Sequence, residues 1–242
     1  LTSSGHTFSI GFCLLPGESS QDFIWAITCF KELRVIPNLV VMDGDQAQKN
    51  AIEHVFPYIP TLLCTWHENQ RVQGKFKSLL GLKNRPAFEG EWRGIIQSKT
   101  IEKLDNLWHN FKAKYSNSNL KLKYCVRYLE NEWLKEGQKE RLVEAWTDQY
   151  LHYGVRVTSR AEGAHTYVKR YLEGKSKGDL YSTWINIKVA IKNQIFAVSN
   201  RTSLQRDQIP IDVDKNLYQG CFGVVTWYAF RLIQKNLNVS EM

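Results

Sequence analysis

Asp43 and Asp45 stand two positions apart directly behind an apolar run in LVVMDGDQAQKN (39–50), and Cys64 and His67 follow in LLCTWHENQRV (62–72). Carboxylates are the ligands that hard divalent cations such as magnesium prefer. A thiol and an imidazole three positions apart make half of a zinc site, or a nucleophile with its base. A third group, Glu162 with His165 and Lys169, shares the polar face of TSRAEGAHTYVKRYL (158–172).

Each of these has a purely structural reading beside the chemical one. Asp45 followed by Gln48 fits a capping box, which gives Asp45 a sufficient task. Asp43 lies one residue beyond the apolar run and is freed from it by Gly44, so it either solvates the turn or binds a divalent cation. No second Cys/His pair at short spacing completes a zinc site around Cys64 and His67, and no third group orients the imidazole for nucleophilic catalysis. Their alternative is a buried strand cysteine and a histidine capping the next helix. Ser159 through Glu162 is itself a capping box in sequence, although a rigid amphipathic helix is also a good platform for a metal-binding carboxylate.

The elements that position these groups follow from periodicity and breakers. HTFSIGFCLL (6–15) reads as a strand stopped by Pro16-Gly17. Residues 21–33 read as a helix, with Phe23, Ile27 and Phe30 at helical intervals. Residues 39–42 are a short apolar run of the kind buried in a parallel sheet, 45–55 a helix, and 61–66 a further strand. In open α/β sheets reactive groups collect at the carboxyl ends of strands, which is where Asp43 falls. Residues 68–150 are helical in pattern, with Trp92, Trp108, Trp133 and Trp146 as core anchors. A short extended segment is expected over 150–157, a helix over 160–172, a loop at GKSKG (174–178), and helices over 181–198 and 224–234.

The 242 residues, 43% hydrophobic and 23% charged, have the composition of a soluble globular chain with no stretch long and apolar enough to span a bilayer. The five scattered cysteines predict reduced thiols in an intracellular compartment. The net charge of +8 is unevenly spread: residues 1–67 carry −3, 68–150 carry +5 and 151–242 carry +6. An acidic segment beside basic ones suits carboxylates that hold a cation while their surroundings attract phosphates. Lysine-rich solvated helix faces would give the same totals.

Taken together, TFSIGFCLLPGES, PNLVVMDGDQAQKNAIEHVFP, LLCTWHENQRV and YLHYGVRVTSRAEGAHTYVKRYL resemble, in order, the transposase domain of Mutator-like elements (MULE), particularly the fungal type. The resemblance implies an α/β, ribonuclease-H-like fold with an α-helical insertion before its last catalytic helix. On this chain that means a first part of the core over 1–76, the insertion over 77–150, the catalytic helix and its successor over 151–200, and a helical tail over 201–242.

It further implies a triad of two aspartates and a glutamate holding two Mg2+ or Mn2+ ions for phosphoryl transfer. Asp43 matches the second aspartate and Glu162 the glutamate. Cys64 and His67 match the family's C-x-x-H signature, expected to organise the site. Arg71, Lys75, Lys169 and Arg170 are candidate contacts to DNA phosphates.

The implied partners are double-stranded DNA, at terminal inverted repeats and target sites, and further copies in a DNA complex, with no membrane and a nuclear location. The family's first aspartate lies on a strand that would precede Leu1, and no acidic residue precedes the 6–15 segment. The fold is therefore expected to be N-terminally incomplete, and the chain as written inactive in cleavage. The competing reading is a transposase-derived DNA-binding or regulatory protein that does not cut.

Overall fold

The computed structural model describes residues 5, 7–116, 119–172, 179–208, 211, 216 and 218–240, with the backbone alone at 82–84, 160, 206–207 and 235–240. The expected loop at 174–178 lies outside the described residues. The chain forms two compact units, one of residues 13–159 and one of residues 1–12 with 160–242.

In the 13–159 unit, helix α1 (Ser20–Glu32) starts at a reciprocal cap in which the Ser19 side chain accepts from Asp22 N and the Asp22 carboxylate accepts from Ser19 N. The Ser19 hydroxyl, donating to Asp22 Oδ2 at 2.6 Å, and the Ser19 N–H hold the Asp22 carboxyl below its ordinary pKa. Strand β1 (Val40–Met42), helix α2 (Gln46–Val55) and strand β2 (Thr61–Leu63) make a βαβ turn. The strands pair in parallel, Val40 with Thr61, Val41 with Leu62 and Met42 with Leu63. A parallel pair needs a crossover, and α2 supplies it, burying Ala51, Ile52 and Val55. Lys31 Nζ ties α1 to the end of α2 by donating to Val55 O at 2.9 Å.

Helix α3 (Thr65–Ile96) leaves β2 at once and breaks at Gly81, whose φ of 66° and ψ of 163° are not helical. With α4 (Ile101–Ser116) and α5 (Leu120–Glu132) it forms a helical block around Phe76, Phe88, Trp92, Phe111, Leu129 and Trp133. The Phe88 ring meets those of Phe76, Phe111 and Tyr115 with centroids 4.8–5.6 Å apart, an arrangement of tilted and edge contacts that adds to simple burial. Leu63 of β2 belongs to the same core, so sheet and helical block fold around one interior. Trp108 and Trp146 are half-buried against it, and all four tryptophans of this region serve packing. A short helix α6 (Glu144–Thr147) ends the block.

In the other unit, α7 (Ser159–Leu172) and α8 (Leu180–Asp207) pack around Val168, Ile187 and Ala190, with Phe12 against them. Asp179 caps α8, accepting from Ser182 N at 2.8 Å. Helix α9 (Trp227–Ser240) buries Phe230 against Tyr218.

The described residues therefore give a mostly helical chain with a two-stranded parallel sheet, compatible with an α/β class. Several boundaries differ from the sequence reading. Residues 7–15 are not a strand: a strand is completed by a neighbour's hydrogen bonds, and among the described residues the only ladder is β1 with β2. The 61–66 strand stops at Leu63, because Cys64 takes the cap position of α3 and Trp66 and His67 are already helical. Residues 150–157 form a turn with Tyr153 (φ 50°) and Gly154 (φ 73°) at positive φ, not an extended segment. Ser159 lies inside α7, so it is not the residue preceding the helix. Helix α8 runs on to Asp207 because 199–207 contain no glycine or proline, while α9 starts three residues late, after Gly223 (φ 77°).

Candidate metal and DNA site

The parallel register brings the carboxyl ends of β1 and β2 side by side. Cys64 N donates to Met42 O at 2.7 Å, so the turn that follows β1 lies against the first turn of α3. Asp43, half-buried, begins that turn, and its Oδ1 accepts from Asp45 N at 3.2 Å. Asp45 caps α2, accepting from Gln48 N at 2.9 Å. Between them Gly44 has φ 78°, a left-handed conformation that side chains strain to adopt. A Cβ there would also lie 2.9 Å from Glu68 Oε1 and 3.0 Å from Arg71 Nη1. Only glycine lets the Asp43 turn and α3 approach this closely.

The closeness matters because of Glu68. It sits in the first turn of α3 with 1% of its surface exposed, and neither carboxylate oxygen has a hydrogen-bond donor. The nearest cation is Arg71, one turn on and 44% exposed, at 3.6 Å from Oε1. Burial, opposed by Arg71 and aided by the Asp43 charge, pushes the Glu68 carboxyl up to a pKa of about 7. The turn thus places a partly exposed carboxylate, a buried one and a guanidinium within one small region.

Cys64 and His67 serve a different contact. Cys64 is fully buried, and its Sγ accepts from both the N–H and the hydroxyl of Thr158 at 3.2 Å. His67 Nδ1 lies 3.0 Å from the same hydroxyl, and Thr65 N donates to Arg156 O at 3.0 Å. A hydroxyl carries one proton, so Thr158 can donate to one of its two side-chain partners while accepting from the other. The C-x-x-H pair therefore fastens residues 156–158, the stretch that leads into α7. Arg156 completes the fastening through hydrogen bonds from its guanidinium to Glu144, to Thr147 Oγ1 at 2.7 Å and to Leu142 O at 3.4 Å.

Glu162 and His165 are exposed on α7, and Lys169 and Arg170 lie exposed in its last turn. Asp43 belongs to the 13–159 unit and Glu162 to the other. Arg71 and Lys75 are exposed on α3, with Lys75 Nζ over the Tyr128 ring at 5.4 Å. Among the described residues no three His, Cys, Asp or Glu side chains are grouped to share a metal. Asp43 with Glu68 still suits magnesium, which is commonly held by one or two carboxylates plus waters and substrate phosphates. Sequence reasoning missed Glu68, Thr158 and Arg156.

Residues 1–71 match the family model of the MULE transposase domain, a span that contains Asp43, Cys64, His67, Glu68 and Arg71 but stops short of Glu162. The chain is 22% identical over 179 residues to Protein FAR1-RELATED SEQUENCE 5 of Arabidopsis thaliana, covering 71% of this chain and 21% of that protein. It is 26% identical over 194 residues to PKS-NRPS hybrid synthetase cheA of Chaetomium globosum, covering 71% of this chain and 4% of that protein. The chain thus spans a small part of either relative's length. No solved structure matches. Among the described residues no helix is long and apolar enough to cross a membrane.

Proposed function

We propose that this chain is the DNA-handling part of a MULE-type transposase domain, fungal in type and ribonuclease-H-like in fold, in which Asp43 and Glu162 are metal-binding carboxylates. The observation that carries the reading is Asp43 itself, set at the carboxyl end of a parallel strand, inside the matched span, with a buried carboxylate beside it. Magnesium or manganese held there would lower the pKa of a water or a DNA 3′-hydroxyl and stabilise the leaving oxygen of an in-line displacement.

The protein's own groups supply the rest. Gly44 admits the close approach that keeps Asp43 next to α3, and the Thr158 clamp on Cys64 and His67 holds the strand end and the lead into α7 in place. Arg71, Lys75, Lys169 and Arg170 meet phosphates and set the register of the duplex without reading its sequence. The partners are inverted-repeat and target DNA and further copies of the protein, and the reaction belongs in the nucleus.

The test is strand cleavage of inverted-repeat DNA with magnesium or manganese, using the chain together with any residues its gene encodes upstream. Loss of cleavage in both Asp43→Ala and Glu162→Ala, with DNA binding kept, is the expected result. Full activity in either variant would sink the assignment. Binding without cleavage by the unsubstituted protein under every cation would mark a transposase-derived DNA binder in its place.

A further inference from the structure

Glu68 is not one of the carboxylates that the family resemblance singles out, and its setting is not that of a structural glutamate. Its carboxylate is buried to 1% exposure, yet both oxygens lack a hydrogen-bond donor, and the facing guanidinium stands at 3.6 Å on a side chain 44% exposed. A buried carboxylate left in this state carries a large desolvation cost unless a counter-charge is supplied. Its Oε1 points at the turn after β1, where a Cβ on Gly44 would come within 2.9 Å of it, and Asp43 is the next residue back. Asp43 spends one oxygen on Asp45 N, and its Oδ2 has no hydrogen bond among the described residues. Two carboxylates with open oxygens therefore flank one glycine.

We propose that Glu68 and Asp43 together ligate a divalent cation within the 13–159 unit, Glu68 being a ligand that the family resemblance does not assign. This rests on the metal-binding role given to Asp43 above. It makes a separate claim: the first turn of α3 contributes a ligand. Two carboxylates and several waters suit magnesium or manganese, leaving positions open to phosphate oxygens.

The test is direct binding of Mn2+ to the 242-residue chain without DNA, read from the loss of the free-ion electron paramagnetic resonance signal, with circular dichroism confirming that each variant is folded. Glu68→Gln is expected to weaken Mn2+ at least about tenfold, Asp43→Asn to weaken it similarly, and Glu102→Gln, an exposed carboxylate on α4, to change it less than about twofold. Glu68→Asp, which keeps a carboxylate one methylene shorter, is expected to fall between wild type and Glu68→Gln. It provides a second readout should the glutamine variant fail to fold. Undiminished binding in both Glu68 variants while Asp43→Asn loses it would overturn the role of Glu68 and leave the proposed function standing. Binding that survives Asp43→Asn, or no binding by the wild-type chain, would overturn the site as a whole.

Discussion

Replacing Glu68 by glutamine in metal-free buffer is expected to make the protein more stable, and increasingly so as the pH rises. The Glu68 carboxyl is raised from 4.5 to about 7 in the folded chain, chiefly by burial. Between those values the folded state keeps a proton that the unfolded state has lost, so stability is greatest below the window and falls as pH climbs through it. The full difference corresponds to about 3 kcal/mol, reached near pH 8, with less than about 1 kcal/mol remaining near pH 5. Asp43 on the neighbouring turn raises this cost and Arg71 reduces it.

Glutamine has the same shape and no charge to desolvate. At roughly 2–4 °C per kcal/mol, Glu68→Gln should melt about 6–12 °C above wild type near pH 8, with most of the gap gone near pH 5. Thermal unfolding in EDTA, followed by intrinsic tryptophan fluorescence, to which the buried Trp92 and Trp133 of the same unit contribute, measures it. Parallel curves for the two proteins from pH 5 to 8 would refute a buried, proton-holding Glu68.

Gly44→Ala should cost about 1–2 kcal/mol from its positive φ alone, and more by displacing Glu68, as denaturant unfolding would show. Thr158→Val removes the hydroxyl shared by Cys64 and His67 and should destabilise by about 1–2 kcal/mol; an unchanged midpoint would mean the clamp is not needed. Phe88→Ala empties the centre of the aromatic cluster and should cost about 3–5 kcal/mol in the same experiment. Lys169→Ala and Arg170→Ala should each lower DNA affinity evenly across sequences and reduce the salt slope by about one; a sequence-dependent loss would argue against phosphate contact.

The βαβ unit was legible because local signals agree there. An apolar run, a cap residue and the 3.6-residue spacing of α2 all place Asp43 at a strand end, and the helical tryptophans mark the block that follows. Residues 7–15 misled for the opposite reason: alternation describes a chain ready to pair, and pairing depends on a neighbour that local pattern does not contain. The end of β2 was missed because Cys64 caps α3 with its backbone alone, without the side-chain hydrogen bond that makes a cap visible in sequence.

Glu68 shows how a site residue can hide. With Arg71 three positions on, it looks like a solvated helix pair. Yet Cys64, Glu68, Val72 and Phe76 recur every four residues, and the other three are all buried. A charged residue in register with an apolar stripe was the available signal. Thr158 gave no such sign, since its partners lie 91 and 94 positions away.

Cation-dependent cleavage of inverted-repeat DNA by matched wild-type and Asp43→Asn proteins, each carrying any residues encoded upstream, tests the account most directly. Cleavage by the wild type that requires magnesium or manganese and disappears in Asp43→Asn, with DNA binding unchanged, is the predicted result. Cleavage of equal rate in the two proteins would contradict it.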